Sequence, residues 1–398
     1  MAPPLSRLLV ILLLALLFSA GAGADRSTDG GHHQSQTTRH ARIFSFGDSL
    51  TDTGNLLRIL GKGTLISRPP YGETFFGRPS GRLSDGRIMI DFFAEALGVP
   101  EPTPYLAGKT AADFRRGVNF AVSGGTAVDA AFFEGRGLKM FVRVSLRNQT
   151  RWFKNVLQRL GSVRERRNMT ATSLFIVGEI GINDYIISGL YRNRTLMSEL
   201  KTVFLPQIIR AIRSTVTHVI AAGARTVVVP GVIPLGCEPQ LLALFRGRIG
   251  AGGYDPASGC ITSLNDLAEL HNRELRRMLR GLRRRRAHPW SGTTTTSVVY
   301  ADLYRAVTDL VVSPGRHGFG DRPLEVCCGG GGGAYNYNTA SFCGAAGTKT
   351  CADPSAYVYW DGVHFTEAAN RRIACSVLQR LSWVVTEAGR CKIGCACA

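Results

Sequence analysis

The sequence predicts an α/β protein in which one parallel sheet is covered by helices on both faces. Short strand-like runs alternate with segments of helical period along most of the chain, the pattern that parallel sheets require. The 398 residues exceed a minimal domain but suit one large α/β domain. Hydrophobic residues make up 44%, ample for a core, and no long low-complexity tract interrupts them.

The chain opens on "MAPPLSRLLVILLLALLFSAGAGADRS". Arg7, an apolar stretch over residues 8–18 and the small-residue exit Ala22-Gly23-Ala24 read as a secretory signal peptide, 1–24. It is too short to span a bilayer comfortably, and no other segment is long and apolar enough. The mature chain is therefore expected in the secretory pathway without stable membrane insertion, either in a lumen of that pathway or outside the cell. Residues 25–40, "DRSTDGGHHQSQTTRH", form a polar leader. The folded domain is expected over 41–386 and a cysteine-rich tail over 387–398.

Within the domain, strands are expected at 43–46, 174–177, 226–229 and 297–301, with "GVNFAV" at 117–122 as a further candidate. The helical segment "IMIDFFAEALG" closes on Gly98, a residue type suited to a C-cap. In 199–223, Phe204, Ile208, Ile212, Val216 and Val219 recur at steps of three and four, which makes one helix face. Pro206 sits near the start of that segment, where it is tolerated. Further helices are expected over 302–312 and 366–385. In parallel sheets, ligands bind beyond the carboxyl ends of the strands.

Charge and cysteine content bound the partners. The formal net charge is +19, which favours soft contact with anionic surfaces such as acidic polysaccharide or nucleic acid. The densest basic run, "ELRRMLRGLRRRRAH", ends a helical pattern and lacks interleaved aromatics. It reads as a solvated face or loop, and no nucleic-acid partner is expected. Three sequons, at Asn148, Asn168 and Asn193, and an even ten cysteines agree with an oxidising compartment. Disulfides are favoured there over metal binding. Cys237 is expected to pair with Cys260, and Cys327 and Cys328 to use Cys343 and Cys351. The glycine run in "CCGGGGGAYNYN" has no Lys-Ser/Thr pair after it, so it is a loop and not a phosphate cradle. No cofactor or metal is expected.

The first strand-like run stops at Gly47-Asp48-Ser49, in "RIFSFGDSLTDTGN". A serine there can be a turn or cap residue, or a nucleophile. As a nucleophile it needs an imidazole, usually held by a carboxylate. His32, His33 and His40 fall in the leader, His218 and His271 lie on helical segments, His288 follows the arginine run and His317 lies in a glycine-rich loop. His364 is different: it follows Asp361 by three residues in "VYWDGVHFTEAANRR", between a strand-like run and a helix start near Thr366. That spacing can carry both members of a relay on one turn. Backbone or amide donors for an oxyanion are offered by Gly124-Gly125 in "NFAVSGGTA" and by Asn183 in "FIVGEIGINDY". Each block alone also fits an ordinary turn. Ser123 is a rival nucleophile, but no G-x-S-x-G elbow surrounds it.

Taken in order, "GDSLTDTGN", "NFAVSGG", "GIND" and "DGVH" resemble the plant GDSL esterase/lipase family of SGNH hydrolases, over nearly all of 41–386. The likeness is strongest to the branch with acetyl and choline-ester esterases. The resemblance implies a three-layer α/β/α sandwich with a flavodoxin-like parallel sheet. It also implies that Ser49 is the nucleophile, His364 the base and Asp361 the group that orients it. The oxyanion donors would be the Ser49 and Gly124 backbone N–H groups and the Asn183 side chain. Ile182 stands where that branch usually has glycine, and Cys375, Cys391, Cys395 and Cys397 depart from the family pattern. The expected function is that of a secreted carboxylic ester hydrolase, acting on short-acyl or acetyl esters of a polysaccharide or a small metabolite. A long-chain lipase, or an idle carbohydrate-binding protein on the same fold, are the alternatives.

Overall fold

The computed structural model describes residues 40–381 apart from 62, 190–196, 287–295 and 332. The expected signal peptide, the leader up to Arg39, Asn193 and the C-terminal tail lie outside the described residues. The strands are β1 (Arg42–Phe46), β2 (Thr103–Pro104), β3 (Gly117–Asn119), β4 (Ser173–Val177), β5 (Thr226–Pro230) and β6 (Ser297–Ala301). They form one six-stranded sheet in the order β2-β3-β1-β4-β5-β6, and every pairing in it is parallel. With the two-residue edge strand β2 set aside, the remaining strands read 2-1-3-4-5 by chain position, the flavodoxin-like order. Chain direction across the sheet therefore reverses at β1, and the ends of β1 and β4 flank the switch point.

The helices used below are α1 (Asn55–Leu60), α2 (Met89–Leu97), α3 (Leu146–Arg159), α4 (Ile182–Ile187), α5 (Leu205–Ala221), α6 (Thr262–Arg286), α7 (Leu303–Val312) and α8 (Glu367–Arg380). α5 packs against α3 and α6, while α8 packs against α2 and α7. These two groups supply the two helical layers. Ile43, Phe44, Ser45 and Phe46 are all fully buried, so neither face of β1 is left to solvent. Phe44, Phe46, Phe120, Phe153 and Phe175 meet there as stacked and edge-on rings, which seats α3 on β1, β3 and β4.

Caps place the helix ends where the sequence puts them. Gly98 closes α2 in the left-handed region at φ 64°, which costs glycine little. The Thr366 hydroxyl accepts from the Ala369 N–H at 3.1 Å and starts α8. The expected strand at 117–122 stops early, at Asn119. Phe120 and Val122 still donate to the Ser45 and Gly47 carbonyls, but on the edge away from β1 the Asn55 and Asn119 side chains take the backbone groups of Asn119 and Ala121. Pro206 lies in the first turn of α5, and the segment before it, Leu200–Phe204, winds as a π-helix. The disulfides Cys237–Cys260, Cys327–Cys351 and Cys328–Cys343 follow the expected use of these cysteines. Cys375 is disulfide-bonded as well. No helix among the described residues is long and apolar enough to cross a membrane.

Candidate active site

The turn after β1 is polar in sequence and buried in structure. Asp48, Ser49, Thr51, Asp52, Thr53 and Asn55 are each less than 9% exposed. Polar groups survive there because almost all are paired. Asp52 accepts from the N–H groups of Gly54, Asn55, Leu56 and Ser123 at 2.7 to 3.0 Å. Asn55 donates to the carbonyls of Asn119 and Ala121 and accepts from Leu106. Gln149 on α3 clamps Gly47 through both its N–H, at 2.9 Å, and its carbonyl, at 2.8 Å. Ser49 is thus held on a rigid turn at the carboxyl end of β1. Burial raises the Asp52 pKa, while its four backbone donors hold it down.

Ser123, the rival nucleophile, is 1% exposed, and its hydroxyl donates to Asp52 at 3.1 Å. Its role is to tie the "NFAVSGG" turn to the "GDSLTDTGN" turn. His271 is fully buried, 3.0 Å from the Tyr185 hydroxyl, and burial drops its pKa to about 3. It is neutral and cannot reach solvent.

Asp361 and His364 do share one turn. The Asp361 carboxylate lies 2.8 and 2.9 Å from His364 Nδ1 and accepts from the Val363 and His364 N–H groups. The Tyr71 hydroxyl donates to its other oxygen at 2.9 Å. Burial alone would raise the Asp361 pKa; the His364 ring and these donors outweigh it and hold the carboxyl below its ordinary value. The sequence reading missed Tyr71, because nothing near "PPYGE" signals a partner nearly three hundred residues away. The carbonyl of His364 accepts from the Trp360 N–H at 2.7 Å, which fixes the loop that carries the ring.

The turns after β3 and β4 meet the first one. Gly124 has φ 77°, a conformation natural to glycine, and a Cβ there would press on Phe141 at 3.3 Å. Asn183, the second residue of α4, donates its amide to Asp48 Oδ2 at 3.1 Å and to the Gly125 carbonyl at 3.0 Å. The next residue, Asp184, accepts from the N–H groups of Ala127 and Val128 at 2.8 and 2.9 Å, binding the Gly124 loop to α4. Ile182 needs no glycine, since its side chain enters the core at 3% exposure.

Several buried carboxyls sit behind this arrangement, and the sequence reading did not assign them. Burial pushes the Asp48 pKa up to about 7, against the pull of the Leu50 N–H, Glu179 and His364. Glu179 lies against Asp48 without a well-aligned hydrogen bond, and burial together with the Asp48 charge raises its pKa further. Glu179 therefore gives up its proton less readily than Asp48, whose Oδ2 faces Asn183. Glu238, also fully buried and raised by burial, feels both Asp48 and Asp361. His364 acts electrostatically on Asp48, the neighbour of Ser49. The first turn and the Asp361–His364 turn thus lie at one end of the sheet, beside the β1/β4 switch point.

Comparison with known proteins decides the family. A model of the GDSL-like lipase/acylhydrolase family matches residues 43–377. The chain belongs to this family. It is a carboxylic ester hydrolase of the plant GDSL type, as the four sequence blocks implied. Two GDSL esterase/lipases of Arabidopsis thaliana are each 42% identical to it, one over 84% of this chain and 83% of its own length, the other over 87% and 84%. A third from the same plant is 40% identical over 95% of this chain and 93% of its own length. A cavity of about 640 Å³ between α3 and α5 contains none of Ser49, Gly124, Asn183 or His364. The chemistry of the GDSL turn, and not cavity size, is what locates the candidate active site.

Of the sequons, Asn168 on the helix Val163–Ala171 is exposed. Asn148 is half-buried at the start of α3, where its Oδ1 accepts from the Ser145 N–H at 3.0 Å.

Proposed function

We propose that this GDSL enzyme is a secreted serine esterase that works through an acyl-enzyme, with Ser49 as nucleophile. The observation that supports it most strongly is the Asp361–His364 contact, 2.8 Å at Nδ1, on a turn that shares an end of the sheet with the Ser49 turn. An Nδ1–H donated to the carboxylate leaves Nε2 as the basic nitrogen. His364 takes the Ser49 proton as Oγ attacks the ester carbonyl. The tetrahedral oxyanion is held by the Ser49 and Gly124 N–H groups and the Asn183 amide. His364 then returns the proton to the leaving alcohol. A water deprotonated by the same ring attacks the acyl-serine, and the acid departs with Ser49 regenerated.

In the free enzyme both recorded contacts of the Asn183 amide go to Asp48 and Gly125. Engaging an oxyanion requires that at least one of its hydrogens be shared or released. Asp48 therefore aims the amide, and its charge sets how readily the amide turns to the substrate. This is a positioning role, distinct from contact with the ester.

Short acyl groups are the favoured substrate, acetyl esters on a cell-wall polysaccharide among them. Ser49 is 8% exposed, on a turn whose polar side chains are themselves buried, which suits a small acyl unit. Purified Ser49→Ala should bind substrate but hydrolyse p-nitrophenyl acetate at the background rate, and an organophosphate probe should label the parent and not the variant. Hydrolysis by Ser49→Ala at the parent rate would remove Ser49 from the mechanism. A p-nitrophenyl ester series that peaks at long chains would favour the lipase reading. An unlabelled parent with carbohydrate affinity would favour the idle binding protein.

A further inference from the structure

The 640 Å³ cavity between α3 and α5 is bounded by basic side chains on two facing helices. Arg147, Arg151 and Lys154 follow one another on α3 at steps of four and three, so they line one face. Arg210 and His218 line the opposite wall from α5. Asp129 is the one carboxylate in the lining, and it is already engaged by the Ser145 hydroxyl and by Arg147 at 3.1 Å. Arg151, Lys154 and Arg210 have no ion pair among the described residues. Like charges one helical turn apart, and again across a concave floor, repel in the empty state. A bound anion removes that repulsion.

The position of the cavity adds to the argument. Its upper wall is the loop at Ala127 and Val128, the same loop that Asp184 fastens beside Asn183. From there it follows α3 and α5 away from the carboxyl ends of the strands, because both helices run antiparallel to the strands they precede. A linear ligand can therefore start at the edge of the candidate active site and continue down the flank. The Cβ atoms of successive cationic residues on α3 stand about 5–6 Å apart, a row that suits charges repeated along a polymer and not a single phosphate. Ser214 and Gln207 add uncharged hydrogen-bonding groups to the wall. Phe132 is the one aromatic side chain in the lining, and Arg136 already lies over its ring at 3.8 Å. Single-stranded nucleic acids bind to rows of stacking rings, which this wall lacks.

We propose that the groove between α3 and α5 is a binding site for an acidic polysaccharide, with uronate carboxylates paired to Arg151, Lys154 and Arg210. The site is separate from the catalytic turn and does not depend on the assignment of Ser49. It holds a polyanionic chain beside the catalytic end of the sheet and leaves the hydrolysis of small esters unchanged.

The test is fluorescence-anisotropy titration of the full chain with a labelled oligogalacturonate. The neutral competitor is a xylo-oligosaccharide of equal length; inorganic phosphate and a single-stranded oligonucleotide are the anionic ones. The triple variant Arg151→Ala, Lys154→Ala, Arg210→Ala is compared with Arg115→Ala, Arg164→Ala, Arg167→Ala, which removes the same charge from another surface. The expected result is salt-sensitive binding of oligogalacturonate, weakened at least about tenfold in the groove variant and little changed in the control. Both variants should hydrolyse p-nitrophenyl acetate like the parent, which shows that they are folded. Equal losses in the two variants would reduce the effect to net charge and overturn the site. Equal binding of the neutral oligomer, preference for the oligonucleotide, or saturation by phosphate alone would each overturn the assigned ligand.

Discussion

The chemistry of single residues follows from which partner each buried polar group finds. Ser49 and Ser123 lie at comparable places, just beyond strands, and their surroundings separate them. The hydroxyl of Ser123 is taken by Asp52, whereas Ser49 stands at the end of the sheet shared with His364. Asn183 illustrates the same point, since the amide proposed as an oxyanion donor is already held by Asp48. Replacing Asn183 by Ala should lower kcat by roughly a hundredfold or more with little change in KM, the usual effect of losing one oxyanion donor. Asp48→Asn keeps the size of the side chain but replaces the carboxyl group that faces the amide. Its kcat should fall while KM stays near the parent value, and the protein should remain folded. A parent-like kcat in Asp48→Asn would show that the Asn183 amide needs no such partner.

Single elements are anchored by buried ion pairs and clamps, and these carry larger stability effects. Arg82 is 6% exposed and forms a bidentate pair with Asp91 in the first turn of α2, through Nε at 2.7 Å and Nη2. Asp91 also accepts from the Ile88 N–H at 2.9 Å, so the pair fixes where α2 begins. Arg82→Ala leaves the Asp91 charge buried without its partner. It should destabilise the fold by about 3–5 kcal/mol, measured by chemical denaturation. A change of a few tenths would mean that water reaches Asp91. Gln149 works differently, clamping both backbone groups of Gly47 from α3. Its signal in the sequence is slight, because a glutamine within a helix normally reads as a solvated residue. The strand boundary at Asn119 was missed for a related reason. The apolar run continues to Val122 and still donates to β1, but on the opposite edge the Asn119 and Asn55 side chains take the backbone groups of Asn119 and Ala121.

For the whole molecule, the buried carboxyls set the response to pH. Burial pushes Asp48 and Asp184 up to about 7, and Glu179 and Glu238 well above their ordinary values. In the unfolded chain the same groups titrate near ~4. Between about pH 5 and about pH 8 the folded protein therefore binds more protons than the unfolded one, and stability falls as pH rises. The melting temperature should drop across that window, and Asp184→Asn should make the slope shallower. A melting temperature that climbs steadily from pH 5 to 8 would contradict this sign. Asp361 has the opposite sign: its lowered pKa adds stability above ordinary carboxyl pKa values, which is lost only in strong acid.

Periodicity and local chemistry are properties of neighbours in the chain, so the sequence alone determined the α/β class, the start of each main strand and the caps at Gly98 and Thr366. Spacing allowed the Asp361–His364 pairing, because three residues of one turn can bring a carboxylate to Nδ1, but the structure was needed to tell it from an ordinary turn. Long-range pairing was decided only by the tertiary structure. The Tyr71 bond to Asp361, the hold of Asp48 on Asn183, the Gln149 clamp and the approach of Glu179 to Asp48 each join segments far apart in the chain. Their energies arise from burial, which strengthens every unscreened charge and makes every unpaired polar atom costly. No local window of sequence reports burial, and for that reason the carboxyls behind Ser49 stayed hidden until the sheet and its helices were assembled around them.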